Sequence, residues 1–284
     1  IYSCSVEQFR KQLQFIKKYF QVITLDETLL LTQNKLPLNK RYALITFDDG
    51  YCDNYEEAYP VLKEEGLSAV FFIPTDYVDS GIVPWWDEIA WMLKNTNKKE
   101  FCFGGNHTFN LNFLALDDVI RKFLTVIKSD PRSMDEKMLE LQETLACQYK
   151  VNPKDKSLFV SWEQIKEMKL GGMSIGSHTC SHRILTHLDK ENQLLELAQS
   201  KQCLEQYLGC EIDSVAYPVG QANTFNNDIC ELTEKLGYKM GFSFTNEIND
   251  LPMANPYKIS RLGIDNHPSM MALRQKIIMS GKLE

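Results

Sequence analysis

Nowhere in the 284 residues does an apolar run approach the roughly 18 to 20 residues that span a bilayer. The strongest run, Ala69-Val70-Phe71-Phe72-Ile73, has the length of a strand. Any block of lysine or arginine is missing too. With 31 basic against 38 acidic residues the formal net charge is −7, which leaves no electrostatic footprint for nucleic acid or an anionic membrane. No Cys-x-x-Cys pair occurs, and the eight cysteines (4, 52, 102, 147, 180, 203, 210 and 230) are too scattered in a chain this long for a disulfide framework. They favour a reducing compartment. The N-terminus, which begins with Ile1, has no basic-then-apolar layout of a signal peptide. Cytoplasmic placement is therefore expected, with a periplasmic or extracellular one the alternative if the true start lies upstream. Internal repeats and low-complexity stretches are absent, which removes fibrous and disordered classes.

What is present is alternation. Hydrophobic residues make up 44% and charged residues 24%, enough to bury a sizeable core in one or two domains or one α/β barrel. Ser5 with Gln8 reads as a capping box opening a helix, since Phe9, Leu13, Ile16 and Phe20 recur at helical spacing. Tyr42 to Phe47 reads as a strand, 55–65 as a helix stopped by Gly66, and Ser68 to Ile73 as a strand ended by Pro74. Ser161 with Gln164 opens a helix that stops near Gly171. Strands are then expected near 173–177, 213–217, 239–244 and 258–264, with helices over 190–208 and 226–236 closed by Gly209 and Gly237. Such β-then-α order means βαβ units and a parallel sheet, open or closed into a barrel. One stretch, about 84–155, breaks the rhythm and reads as a helical insertion of about 70 residues, placed on the barrel face to which its flanking strand points.

Histidine is scarce, yet three of the five fall together: His178, His182 and His187. His178 and His182 follow a strand and are spaced i, i+4. On a helical turn that spacing shares a face, so both imidazoles could reach one cation at about 2.0–2.1 Å. Thr46-Phe47-Asp48-Asp49-Gly50 puts two carboxylates at the C-terminal end of an apolar strand, where α/β barrels build active sites. Adjacent side chains diverge, so one can bind a metal while the other faces substrate or water. Each motif alone has a plain reading, a helix start or an Asp-Gly turn. Together, one carboxylate and two imidazoles make an open metal site that can polarise a carbonyl and acidify a water.

Thr46 to Gly50 and His178-Thr179-Cys180-Ser181-His182 resemble the first two motifs of the polysaccharide deacetylase family (NodB-homology domain, carbohydrate esterase family 4). Ala216-Tyr217-Pro218-Val219-Gly220 resembles the third, in its Ala-Tyr-Pro form. The likeness covers about 40–78 and 160–265 and leaves the insertion outside. It implies an α/β fold of the NodB-homology type, a distorted, incomplete (β/α) barrel, with 1–284 as one domain carrying the insertion. It also implies that Asp49, His178 and His182 bind a divalent metal, usually zinc, that Asp48 is the general base, and that the Val219 N–H, beside Tyr217, serves the oxyanion.

Two departures from the family pattern stand out. An Arg usually opens the third motif and steers the catalytic Asp, and Ala216 stands there; Arg261 is the expected substitute. The family's general acid is a His in a Leu-x-His pattern. Here His267 is the late candidate, with Asp265 or a water as rivals. His187 and His107 read as structural and surface residues. Trp85, Trp86 and Trp91 could line a glycan groove but read more simply as apolar anchors of the insertion. The Asn106-His107-Thr108 sequon is too short to weigh. The expected activity is metal-dependent removal of N-acetyl groups from an amino sugar in a polysaccharide or glycan precursor. The alternatives are hydrolysis of another linear amide or formyl group, and a glycan-binding, inactive relative.

Overall fold

The computed structural model describes residues 4–111, 116–149, 158–264, 273–275 and 277, and the chain divides into two compact units, 1–80 with 158–284, and 81–157. The chain opens with α1 (Val6–Tyr19), β1 (Gln21–Val22), α2 (Leu25–Thr32), β2 (Tyr42–Ala43), β3 (Thr46–Phe47), α3 (Tyr59–Glu65) and β4 (Val70–Ile73). The second unit supplies α4 (Trp85–Asn95), β5 (Glu100–Phe103), β6 (His107–Asn110), α5 (Leu116–Ser129) and α6 (Met134–Leu145). The first unit then resumes with α7 (Trp162–Leu170), β7 (Ser174–Ser177), α8 (Lys190–Leu208), β8 (Ser214–Ala216), α9 (Asn227–Lys235) and β9 (Met240–Phe242).

Five parallel strands lie side by side in the order β3-β4-β7-β8-β9: the parallel sheet that the alternation implied, in the incomplete (β/α) barrel that the family resemblance implied. β4 is buried at every position because both faces of the sheet are covered. Its side chains alternate between two cores. Phe71 and Ile73 join Leu62, Ile165, Leu197 and Ile229 beneath the helices, while Val70 and Phe72 join Leu25, Ala216, Met240 and Phe242 on the other face.

Local chemistry sets the element ends. Asp189 caps α8 by accepting from the Asn192 N–H, and Gly209 closes the helix in the left-handed region at φ 65°. Ser161 and Gln164 form a reciprocal capping box on α7. At α1 only the Ser5 half of the anticipated box is made, accepting from the Gln8 N–H at 3.3 Å.

Three expectations need correction. The run 42–47 is not one strand, because it changes partner: β2 pairs with β1, and β3 pairs with β4. Residues 258–264 make only a bridge from Ile259 to Phe242. Beyond it, one backbone bond, Asn246 N–H to Arg261 O, is joined by side chains, with Asn249 Oδ1 accepting from Ser260 N–H and Asn246 Oδ1 from Gly263 N–H. The segment 84–155 is not wholly helical: β5 and β6 form an antiparallel hairpin turned by Gly104 and Gly105, both at positive φ. Phe101, Phe103 and Phe109 of this hairpin pack around Phe123 of α5.

No helix among the described residues is long and apolar enough to cross a membrane.

Candidate active site

Strand ends in the first unit bring the chemical residues together. Asp48 and Asp49 follow β3, His178 follows β7, and the carbonyl of Ala216 ends β8. Asp49 sits in the left-handed region at φ 69°, and Gly50 follows at φ 65°. A non-glycine residue held there costs on the order of 1–3 kcal/mol, and such strain persists only where the surroundings fix it. The surroundings do so here: Val160 N–H donates to Gly50 O at 2.9 Å, and Cys52 N–H to Leu158 O at 2.9 Å.

Asp49, His178 and His182 each offer one ligand atom, and these atoms all lie within 4.8 Å of one another. Asp49 Oδ1 is 3.3 Å from His182 Nε2 and 3.5 Å from His178 Nε2. Two ligands that share one tetrahedral ion at about 2.0–2.1 Å stand about 3.3–3.4 Å apart, so the spacing suits a metal. The donor chemistry suits it as well. His178 Nδ1 lies 2.7 Å from Ala216 O; a carbonyl only accepts, so the proton is on Nδ1 and the Nε2 lone pair faces Asp49. Asp49 Oδ1 is buried and accepts no hydrogen bond. A lone pair opposite a buried, unpaired carboxylate oxygen calls for a proton or a cation between them.

The two histidines do not share a helical turn, contrary to the sequence expectation. Residues 178–182 form a loop with Thr179 and His182 at φ 64° and 53°, and its rings lie 4.7 Å apart at 75°. Carbonyls and N–H groups of the loop bond outside it in place of a helical ladder. Thr75 N–H donates to Thr179 O, Asp76 N–H to Cys180 O, and the Tyr77 hydroxyl to Ser181 O.

Beside this cluster Asp48 is gripped by Arg261. The guanidinium donates to both carboxylate oxygens, at 2.6 and 2.7 Å, and to Thr46 Oγ1 at 3.3 Å. Its Nε–H donates to Ser243 O at 3.0 Å, and the group lies over the rings of Phe72 and Phe244. A planar fork bound at both teeth fixes distance and orientation together. Burial alone would raise the Asp48 pKa, but the Arg261 charge and the nearby imidazoles outweigh it and hold the value at about 2. Asp49 is also lowered: burial raises it, and His178 and His182 overcome that. Burial pulls His178 down, but Asp48, Asp49 and the Ala216 carbonyl push it further up, so its net shift is upward.

The remaining sequence candidates fall as follows. Val219 stands past β8 at φ 63°, and among the described residues no backbone acceptor takes its N–H. Tyr217 points into the core: its side chain is wholly buried, its hydroxyl donates to Tyr257 O at 3.0 Å, and its N–H donates to Phe242 O at 3.0 Å. His267 and its rival Asp265 lie outside the described residues. His187 sits in a short 3-10 turn after the loop, and His107 is exposed on β6. Trp85 and Trp86 pack edge to face, and Trp91 meets Tyr149 in the same way. Sequence reasoning missed Tyr77, the carbonyls of Ala216 and Ser243, and Glu196, which accepts from Cys180 N–H and Ser181 N–H at 2.9 Å each. Backbone acceptors carry no residue signature, and Glu196 is one of three glutamates on α8, with no pattern that singles it out.

The pattern of a family described as polysaccharide deacetylase matches this chain over residues 35–154 and 143–241. The Bacillus subtilis (strain 168) protein YxkH is 28% identical over 223 residues, 78% of this chain and 51% of its own. The poly-beta-1,6-N-acetyl-D-glucosamine N-deacetylase of Staphylococcus aureus (strain MRSA252) is 24% identical over 266 residues, 93% of this chain and 69% of its own. The chain thus spans about half the length of the first of these relatives. Among solved structures, the Streptococcus pyogenes deacetylase PplD in complex with acetate superposes with a TM-score of 0.64 at 20% identity, covering 97% of this chain and 88% of that one. IcaB from Ammonifex degensii gives 0.60 at 17%, with 98% and 90% covered. At these identities the structural likeness concerns the fold.

Proposed function

The chain belongs to the polysaccharide deacetylase family, and from that premise we propose that it is a metal-dependent hydrolase of N-acetyl groups on an amino-sugar polysaccharide. The observation that carries the reading is the pairing of two adjacent carboxylates with different partners. Asp49 faces two imidazoles, and Asp48 faces a guanidinium. A binding module has no need of a second, charge-clamped carboxylate beside a ligand set.

In this reading Asp49, His178 and His182 hold a divalent ion, and two nitrogen donors with one oxygen donor suit zinc. Such an ion, when bound, polarises an acyl carbonyl and lowers the pKa of a water towards about 7. Asp48 accepts the proton of the attacking water. Each of its oxygens keeps a second lone pair beside the Arg261 bond, and Oδ2 stands 3.8 Å from His178 Nε2, next to the ligand set. Arg261 keeps Asp48 ionised and aimed, the work that the family's third-motif Arg does elsewhere. The Val219 N–H serves the oxyanion, a contribution of about 3–4 kcal/mol for one well-placed donor. His267 is assigned the proton that the leaving amine takes up. The products are acetate and a free amine.

The relative named as a poly-beta-1,6-N-acetyl-D-glucosamine N-deacetylase makes β-1,6-linked N-acetylglucosamine oligomers the first substrate to try. With zinc added, acetate release is expected from the wild type, and a fall of about 10²- to 10⁴-fold in Asp48→Asn. Tight zinc binding with no acetate from a broad panel of acetylated amino sugars would overturn the hydrolase reading in favour of glycan binding.

A further inference from the structure

The loop that joins the two histidines is held from outside itself, and the inference rests on the metal-site reading above. Its carbonyls, at Thr179, Cys180 and Ser181, accept from Thr75 N–H (3.2 Å), Asp76 N–H (3.0 Å) and the Tyr77 hydroxyl (3.1 Å). Its donors turn elsewhere. The N–H groups of Cys180 and Ser181 both reach Glu196 Oε2, each at 2.9 Å, and the Ser181 hydroxyl donates to Glu196 Oε1. Three donors therefore converge on one side chain. Successive N–H groups in a turn with left-handed residues form a concave anion site, and here the anion is part of the protein.

We propose that Glu196 is a positioning residue of the metal centre, setting the loop shape that places His182 against Asp49. His178 is pinned at the start of the loop by Ala216 O, 2.7 Å from Nδ1. His182 arrives only at the loop's far end, so its 3.3 Å approach to Asp49 Oδ1 depends on the path between. Glu196 stands on α8, a 19-residue helix anchored by the buried Leu197, Ser200 and Leu204, which gives the carboxylate a fixed mount. Two backbone N–H groups, which can only donate, meet on Oε2, and the carboxylate charge strengthens both bonds. A glutamine keeps one acceptor but loses that charge, and its NH2 would reverse the bond to the Ser181 hydroxyl.

The test is zinc affinity by chelator competition, together with the visible absorption of the cobalt-substituted protein. Glu196→Gln is expected to weaken zinc binding about 10- to 100-fold and to change the cobalt spectrum. Ser181→Ala, which removes one of the three donors, should lose less. Lys201→Met on the same helix removes bonds to Ile212 O and Glu205 and should lower thermal stability without moving either metal readout. Wild-type affinity and spectrum in both Glu196→Gln and Ser181→Ala would overturn the proposal; if Glu196→Gln does not fold, Ser181→Ala decides alone. His178→Ala separates the two levels. If it binds zinc as tightly as wild type, the metal site itself is wrong and the proposal falls with it. If it loses zinc while Glu196→Gln does not, only the role of Glu196 falls.

Discussion

Arg261 and Asp48 are 213 positions apart in the chain, and their pairing fixes what the base can do. With its pKa held at about 2, Asp48 is ionised at neutral pH. Because that value lies below the ordinary 3.8, the ion pair stabilises the fold above about pH 3.8, and the contribution is lost as pH falls towards 2. Removing the guanidinium leaves burial opposed by the imidazoles alone, so in Arg261→Met the Asp48 pKa rises. Protonated Asp48 cannot take a proton, hence the acid limb of kcat/KM moves to higher pH, and the plateau falls about 10²-fold. Arg261→Lys keeps the charge but not the fork; its limb should stay near wild type while the plateau still drops. A pH–rate profile of the three proteins reads both effects. The four residues of the first two motifs were legible in sequence because their types and order are chemically specific. Arg261 was legible only as a replacement for a missing residue. For Tyr217, position in a motif does not say which way a side chain points, and its ring points into the core.

Among elements, the helices were the readable part. Their ends are written in side chains, as in Ser161 with Gln164, Asp189, and Gly209. Strands were readable where both faces are buried, as in β4, and misread where the backbone changes partner, as between β2 and β3. The turn after β8 carries a constraint that sequence hints at only by a glycine. Gly220 has φ 64°, and a Cβ there would lie 2.6 Å from Phe244 N and 2.9 Å from Phe244 Cβ. Backbone atoms cannot step aside as a flexible side chain can. Gly220→Ala should therefore destabilise by about 1–3 kcal/mol for the left-handed conformation alone, with the clash added. The same displacement shifts the adjacent Val219 N–H, so kcat should fall more than KM rises. Thermal unfolding and steady-state kinetics on one preparation separate the two effects; unchanged kcat in a destabilised Gly220→Ala would remove Val219 from the oxyanion role.

At the scale of the molecule, β/α alternation was enough to foresee a parallel sheet, since crossover connections admit few other arrangements, and the family resemblance supplied its closure into an incomplete barrel. It did not foresee the β5–β6 hairpin, because alternating Phe101 and Phe103 in a short run lie below the resolution of a periodicity argument. The metal reading also has a molecular consequence. An ion that binds the folded chain and not the unfolded one stabilises it by RT ln(1 + [L]/Kd), about 2.7 kcal/mol at a hundredfold excess over Kd. For a protein of this size that raises the unfolding midpoint by about 4–5 °C.

The rise must depend on pH in a stated direction. The metal-free His178 has its pKa raised above 6.5: burial opposes the charge, but Asp48, Asp49 and the Ala216 carbonyl favour it more. In that state the imidazolium contributes stability that is complete below the unfolded value of 6.5 and is lost as pH climbs through the raised one. A metal ligand must be neutral, so zinc competes with that proton, and its affinity falls as the solution is acidified through the same range. The zinc-induced rise in midpoint should accordingly be larger at pH 8 than at pH 6, while the zinc-free protein shows no such gain from base. His178→Ala should abolish the increment at both pH values. Calorimetry with and without zinc, at the two pH values and on both proteins, reads all four terms, and an equal increment at pH 6 and pH 8 would mean that the ion sits somewhere other than on His178.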